Sequence, residues 1–102
     1  MDEALDWLCR WYASECDGDW EHQYGITIET LDNPGWAVKI DLQDTQVPKK
    51  RFAPLMVEHS DTDWYAFELK DGAFYGYGDP SKLGFLLAGF RQYVETGRPP
   101  AD

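Results

Sequence analysis

The dipeptide Asp71-Gly72, which separates two runs of alternating residues, constrains the fold of this chain more than any other feature. An Asp-Gly pair readily adopts the positive φ angles that a two-residue hairpin turn requires. The pattern therefore predicts two antiparallel strands, Trp64 to Lys70 and Ala73 to Gly78. Counting outward from the turn pairs Lys70 with Ala73, Leu69 with Phe74, Phe67 with Gly76 and Tyr65 with Gly78. That face is expected to form core.

The other face of this hairpin has an aromatic surface. Because side chains alternate along a strand, one face must hold a second set of residues: Trp64, Ala66, Glu68, Tyr75 and Tyr77. Aromatic rings on a sheet face need a covering layer, which another part of the chain or a partner protein can supply.

A second hairpin is predicted nearer the N-terminus. Tyr24 to Leu31 and Trp36 to Leu42 both alternate as strands do, and Asp32-Asn33-Pro34-Gly35 between them is typical of a turn. Residues 43–52, which include Lys49-Lys50-Arg51, have the composition of a polar loop, and Leu55 to Glu58 is predicted to be a short third strand.

Helical periodicity occurs at both ends of the sequence. Residues 2–16 are predicted to form a helix with Asp2 as N-cap, Trp7 and Trp11 on its flank, and Gly18 as its stop. Its predicted apolar stripe is Leu5, Leu8, Cys9, Tyr12 and Cys16. Asp79-Pro80 is predicted to begin a second helix, as N-cap and first helical residue, that ends at Gly97. Its stripe is Leu83, Leu86, Leu87, Phe90 and Val94.

This order of elements predicts an α+β fold, a four- to five-stranded antiparallel meander packed against N- and C-terminal helices. At 102 residues the chain is short enough for a single domain, expected over residues 1–97, with a flexible C-terminal tail over residues 98–102. If both helices cover one face of the sheet, the other face remains for a partner.

The charge is strongly acidic and unevenly distributed. The formal net charge is −10, and eleven of the 19 acids lie in residues 1–46, against only Arg10 and Lys39. Such a field repels nucleic acid and anionic membranes, and it speeds association with a cationic partner. Solubility alone is the alternative explanation. Tyrosine and tryptophan among acids, rather than among bases, favour a protein interface over a nucleic-acid site.

The location of the protein and the state of its thiols follow from shorter patterns. No apolar run approaches the length of a membrane span, and acids occupy the place of a basic signal-peptide region, so we expect a cytoplasmic protein. Cys9 and Cys16 lie seven residues apart in one predicted helix, roughly 10 Å along its axis, which is beyond disulfide reach. Both are expected to be buried or free thiols.

The segment from Cys16 to His22 invites enzymatic interpretations, but each fails a test of spacing. Cys16 lies at a helix end of the wrong polarity to activate a thiolate. Asp17, Asp19 and Glu21 alternate as calcium ligands do, yet the glycine and the distal glutamate of a calcium loop are missing. His22 and His59 lack a third histidine or a suitably spaced cysteine for zinc. We expect no catalytic residues, no metal and no cofactor.

Three ordered segments of the sequence have a familiar pattern: Cys16-Asp17-Gly18-Asp19-Trp20-Glu21-His22, then Tyr24-Gly25-Ile26, and then Thr30-Leu31-Asp32-Asn33-Pro34-Gly35-Trp36. They resemble the immunity protein 53 family of bacterial polymorphic toxin systems, and the resemblance is best over the first 42 residues. It implies a non-enzymatic protein, made beside a toxin that is often a nuclease, which protects its producer by binding the toxin domain in the cytosol.

The sequence and the resemblance together yield one hypothesis about the binding surface. A nuclease is basic because it must hold phosphate, so acids of this chain would supply the attracting field and aromatic residues the anchors. The predicted acids are Asp17, Asp19, Glu21, Glu29, Asp32, Asp41 and Asp44, and the predicted anchors are Trp64, Tyr75 and Tyr77. The chain is expected to be a monomer or a homodimer. Two alternatives stay open: an acidic adaptor with a host partner, and a small enzyme that uses Cys16 or His22.

Overall fold

A five-stranded antiparallel sheet forms the centre of the computed structural model, which describes residues 3–49, 52–98 and 100. The elements, in chain order, are α1 (Glu3–Glu15), α2 (Trp20–Gln23), β1 (Ile26–Leu31), β2 (Gly35–Asp41), β3 (Phe52–Ser60), β4 (Asp63–Lys70), β5 (Ala73–Gly78) and α3 (Leu83–Thr96). The predicted α+β class, with helices at both ends of the chain, is confirmed. In the described ranges no helix is long and apolar enough to span a membrane.

The strand order is β1-β2-β5-β4-β3. Strands β3, β4 and β5 follow one another as a meander, and the β1-β2 hairpin joins this unit through β5 rather than through β3. The junction aligns Trp36 with Gly78, Val38 with Gly76 and Ile40 with Phe74. Residues far apart in the sequence therefore lie side by side at the centre of the sheet.

Both predicted hairpins are confirmed. Strands β4 and β5 pair with the predicted register, from Lys70 opposite Ala73 to Tyr65 opposite Gly78. At the turn Asp71 and Gly72 have φ angles of 53° and 76°, the left-handed conformation that the Asp-Gly dipeptide accommodates. β1 begins at Ile26, two residues later than predicted, and β3 is much longer than the short strand predicted from Leu55 to Glu58.

The helices cover a single face of the sheet. Phe90 of α3 lies 5.1 Å from Phe74 of β5 and 5.0 Å from Trp11 of α1, measured between ring centroids, so one ring joins the three elements. Phe85 of α3 lies 6.0 Å from Phe67 of β4 in the same layer. The core is consequently an aromatic layer between the two long helices and the sheet.

The face of α1 that contacts the core differs from the prediction. Ala4, Leu8 and Trp11 are buried, whereas Leu5 is 46% and Tyr12 38% exposed. Two overlapping stripes on this helix both have helical spacing, and the structure buries the one with the tryptophans. The larger apolar area of an indole ring favours that choice. Asp2, the predicted N-cap, lies outside the described residues.

The predicted start of the second helix is wrong. α3 begins at Leu83, three residues after Pro80, and Asp79 is buried with 1% of its surface exposed. The Asp79 carboxylate accepts hydrogen bonds from the Trp64 amide at 2.9 Å and pairs with Lys82 Nζ at 2.8 Å. Burial raises the pKa of Asp79, but the hydrogen bonds from Lys82, Ser81 and Trp64 outweigh it and hold the pKa well below its usual range. Asp79 therefore fastens the start of β4 to the segment before α3.

The end of α3 agrees with the sequence analysis. Gly97 takes the left-handed conformation, with φ of 70°, and its amide donates to the Tyr93 carbonyl, as expected of a helix stop. The predicted flexible tail from residue 98 falls largely on residues that the structure does not describe.

Candidate functional site

The sheet has an open face, opposite to the helices, which carries the alternate residues of all five strands. Strand register places Glu29, Ala37, Tyr77, Ala66 and Met56 in one row across it. Thr27, Lys39, Tyr75 and Glu68 form a neighbouring row, and Trp64 lies opposite Glu58 in another. The predicted second face of the β4-β5 hairpin is thus part of a wider surface that also includes β1 and β2.

A cleft of about 120 Å³ lies on the open face between β1 and β5. It forms because Ala37, a small residue, lies between Glu29 and Tyr77 in the row across the sheet. Its other side chains include Thr27, Lys39 and Tyr75. We call it the Tyr cleft, and define it by Thr27, Glu29, Ala37, Lys39, Tyr75 and Tyr77.

The two tyrosines of the Tyr cleft are stacked. Their ring centroids lie 6.3 Å apart and their planes differ by 8°, which gives one continuous aromatic surface. Lys70 Nζ lies 5.4 Å from the Tyr75 ring centroid and 3.5 Å from Glu68 Oε1. Burial raises the pKa of Tyr77, and the nearby Glu68 carboxylate raises it further. Tyr77 is therefore neutral near pH 7, so its hydroxyl group can donate a hydrogen bond.

The Glu29 carboxylate forms the acidic wall of the Tyr cleft. Glu29 is exposed, and none of the described side chains makes an ion pair with it. Lys39 Nζ instead lies 3.9 Å from Asp41 on its own strand. The cleft therefore combines an aromatic wall with a carboxylate, an arrangement that suits the guanidinium group of an arginine.

Trp64 is more enclosed than an anchor residue would be. Only 9% of its surface is exposed, and its ring packs closely over Gly35. A Cβ atom at Gly35 would lie 3.2 Å from the Trp64 ring and would clash with the Gly78 carbonyl oxygen. The exposed edge of the ring helps to line a second, shallow depression of about 280 Å³ with Asn33, Met56 and Glu58. Trp64 can contribute little area to a partner, unlike Tyr75 and Tyr77, which are partly exposed.

Two of the predicted acids stabilise the connection between α1 and α2. Asp17 Oδ1 accepts the amides of Trp20 at 3.0 Å and Asp19 at 2.9 Å, and these two bonds lower the pKa of Asp17. Glu21 accepts the amides of Asp17 at 3.0 Å and Gly18 at 2.9 Å. These carboxylates fix the local backbone, yet their charges remain at the surface.

The remaining predicted acids are dispersed. Asp41 Oδ2 accepts the Gly25 amide at 3.0 Å at the start of β1, and Asp44 lies just beyond β2 with a φ of 60°. Asp32 is exposed in the turn at the other end of the β1-β2 hairpin, roughly 20 Å away by the rise of a strand. Asp19 is exposed at the start of α2.

The model of one protein family matches most of the chain, over residues 5–95, under the description immunity protein 53. The chain belongs to the immunity protein 53 family. Neither a curated protein nor a solved structure matches it. Membership implies an immunity protein that binds a toxin partner, and it favours a non-enzymatic role.

In this member of the immunity protein 53 family, the structure brings Glu29, Tyr75 and Tyr77 together. Asp41 lies beside the cleft, 3.9 Å from Lys39, and the other predicted acids lie apart from it. Sequence analysis missed Lys39 in the cleft. Met56, which is 59% exposed on β3, does not line the cleft. The alternation of β2 puts Lys39 on the face opposite Val38 and Ile40, but nothing in the local sequence indicates that β2 pairs with β5. Without the pairing of β2 with β5, the position of the Tyr cleft could not have been predicted from the sequence.

The Cys16 to His22 segment carries the family resemblance and the enzymatic alternative. It consists of the connection between α1 and α2 and the first three residues of α2. The Trp20 indole is buried and donates to the Gln43 carbonyl at 2.9 Å, which holds α2 against the end of β2. Cys16 Sγ donates to the Tyr12 carbonyl at 3.2 Å, and both cysteines are free, with Cys9 exposed. Within the described ranges no three potential metal ligands cluster.

Proposed function

We propose that this immunity protein binds a cognate bacterial toxin domain in the cytosol and neutralises it by direct blockade without catalysis, and that the toxin is a basic nuclease. Membership of the immunity protein 53 family is the observation that carries the proposal. The net charge of −10 supports the choice of a basic partner, because a nuclease needs cations to hold its phosphate substrate.

The Tyr cleft supplies the anchors in this proposal. Tyrosine gives a large, rigid and amphipathic contact area, and such residues dominate binding energies at protein interfaces. A basic side chain of the toxin that lies over Tyr75 and Tyr77 can also pair with Glu29. Trp64 has little exposed area, so its role is mainly to pack against Gly35 on the open face.

The dispersed acids supply the field rather than specific contacts. Asp32 lies at the turn of the β1-β2 hairpin, Asp41 and Asp44 lie at its other end, and Asp17, Asp19 and Glu21 lie at the α1-α2 connection. The hydrogen bonds from the Trp20 and Asp19 amides lower the pKa of Asp17, which keeps this carboxylate ionised near neutral pH. Such charges attract a basic partner over roughly the Debye length of about 8 Å at physiological salt, so they act on the association rate.

The first experiment is co-expression of this protein with the toxin domain encoded beside its gene, followed by calorimetric titration of the purified pair. Survival of the cells and a tight complex that weakens with salt are expected. Absence of both rescue and binding would refute the proposed function.

The anchors are tested by the variant Tyr75→Ala/Tyr77→Ala. Loss of a hot-spot pair costs about 2 kcal/mol of binding or more, which corresponds to roughly 30-fold weaker affinity, mainly through faster dissociation. Tyr12→Ala is the matched control, since Tyr12 is 38% exposed but lies on α1 on the helical side. Equal affinities for the two variants would contradict the role of the Tyr cleft.

The field is tested by replacing the exposed Asp19, Asp32 and Asp44 with their amides. The association rate at low salt is expected to fall about tenfold, and its dependence on salt to become weaker. Unchanged association kinetics would contradict the steering role. The tyrosine variants serve as a control here, because they change the dissociation rate and leave the charge intact.

A further inference from the structure

The two edges of the sheet differ in how well they resist the addition of another strand. β3, at one edge, contains Pro54 and has two register shifts along its pairing with β4. Proline and irregular pairing are the features by which proteins protect an exposed edge. β1, at the other edge, pairs with β2 over six consecutive residues without a shift and has no proline and no lysine. The β1 edge is therefore regular and open.

The exposure of β1 shows that it is uncovered on both sides. Thr27, Ile28, Glu29 and Thr30 are all exposed, although successive residues of a strand point to opposite faces. Ile28 is on the helical side, yet 41% of its surface is exposed, because α1 and α3 cover the centre of the sheet. Every second residue of an edge strand also directs its amide and carbonyl groups outward.

We propose that the β1 edge accepts an extended, basic segment of the toxin domain as a sixth strand of the sheet. This inference rests on the proposed function and names the surface and the kind of partner element. Backbone hydrogen bonds to β1 would provide affinity, and the alternating side chains of the added strand would provide specificity.

The two sides of β1 define the sequence that the added strand should have. Cross-strand neighbours lie about 5 Å apart, so residues on the helical side would contact the exposed Ile28 and should be apolar. Residues on the open face would lie beside Thr27 and Glu29 at the mouth of the Tyr cleft, and should be arginine or lysine. An alternating apolar and basic segment is thus the expected ligand.

Charge favours the toxin over a second copy of this chain. Pairing of two β1 strands would join two molecules of net charge −10 and bring the Glu29 carboxylate of each copy close to the seam. Like charges near one another across strands are destabilising. A basic strand meets the same carboxylates with favourable charge.

The test compares Ile28→Lys with Met56→Lys, titrated against the toxin domain encoded beside the gene. Both residues are exposed on edge strands, Ile28 by 41% on β1 and Met56 by 59% on β3, so the two variants add the same charge at opposite edges. Ile28→Lys is expected to weaken binding at least 30-fold, and Met56→Lys less than threefold. Circular dichroism verifies that both variants fold.

Hydrogen exchange gives a second readout that needs no substitution. The β1 amides are expected to exchange at least tenfold more slowly in the complex than in the free protein, whereas the β3 amides keep their rate. If the wild type binds the toxin but Ile28→Lys binds equally well and the β1 amides gain no protection, the edge inference is refuted while the proposed function stands. Dimerisation of the protein alone, with protected β1 amides, would assign the edge to a second copy instead. A wild type that does not bind the toxin refutes both proposals.

Discussion

Replacement of Phe90 by alanine is the perturbation that tests the packing of this fold most directly. Phe90 is completely buried, and its ring contacts Trp11 at 5.0 Å, Phe74 at 5.1 Å and Trp7 at 5.8 Å, measured between centroids. All three contacts are edge-to-face, the arrangement that aromatic rings favour. The variant therefore removes the group through which α1, α3 and β5 meet.

The expected cost follows from that burial. Truncation of a fully buried phenylalanine destabilises a protein by about 3–5 kcal/mol, through lost apolar transfer and the cavity that remains. A domain of this size has roughly 5–15 kcal/mol of stability, and each kcal/mol shifts the melting temperature by about 4–8 °C. We expect Phe90→Ala to lower the melting temperature by about 12–40 °C, and Phe90→Leu by less than half as much.

Phe85→Ala is the matched control. It removes the same side chain five residues earlier on α3, where 44% of the residue is exposed, so about 1–2 kcal/mol should be lost. Urea unfolding followed by tryptophan fluorescence measures both variants and Phe90→Leu, which keeps enough volume to remain folded. Equal losses for Phe85→Ala and Phe90→Ala would refute the conclusion that the buried Phe90 ring contributes more to packing than the half-exposed Phe85 ring.

Three further predictions concern single residues. Asp79→Asn should lower stability to urea at pH 7, because folding lowers the pKa of Asp79 and the ionised carboxylate therefore stabilises the wild type. The wild type has this advantage above about pH 4, where the carboxyl group of the unfolded chain is ionised, and loses it in stronger acid. A gap between variant and wild type that widens in acid would contradict this. Gly89→Ala should destabilise by about 1–3 kcal/mol, since an added Cβ would lie 2.5 Å from the Phe67 ring, although helix propensity alone predicts a gain of about 1 kcal/mol. Unchanged or raised urea stability would refute the packing. A thiol reagent should modify Cys9 faster than Cys16 in the folded protein, because Cys9 is the more exposed of the two. Cys9→Ser should therefore remove the fast phase of modification, and a fast phase that remains in this variant would contradict the orientation of α1.

The hairpins were predictable because their information is local. The Asp71-Gly72 turn determines the pairing of Lys70 with Ala73, and each further pair along β4 and β5 follows from it. The family resemblance was also correct, since its motifs lie in contiguous segments within residues 5–95.

The errors arose where several local patterns were equally consistent with the sequence. On α1, stripes containing Leu5 or Trp11 have the same period, and only packing against Phe90 decides between them. Asp79-Pro80 has the sequence of a helix start, yet the Asp79 carboxylate accepts hydrogen bonds from Lys82 Nζ and the Trp64 amide instead. That alternative depends on a strand fifteen residues away in the sequence.

The candidate site was only partly predictable. Tyr75 and Tyr77 were placed on one face by the register of their hairpin, but their approach to Glu29 depends on the contact between β2 and β5. The uneven charge of the sequence indicated that most of the other proposed residues lie in its first half. It did not indicate that Asp17 and Glu21 accept hydrogen bonds from neighbouring amides. Composition thus predicts the overall electrostatic field of the protein, whereas the arrangement of side chains in a binding site follows only from the fold.

The contact between α1 and α3 has a consequence for synthesis on the ribosome. α1 leaves the ribosome well before Phe90, the ring that its two tryptophans pack against. Until then Trp7 and Trp11 face solvent or a chaperone, a condition that promotes aggregation of nascent chains. A chain that stalls before α3 would keep these indoles exposed and would be open to proteolysis. A cell would therefore accumulate only protein in which the helices have packed on the sheet.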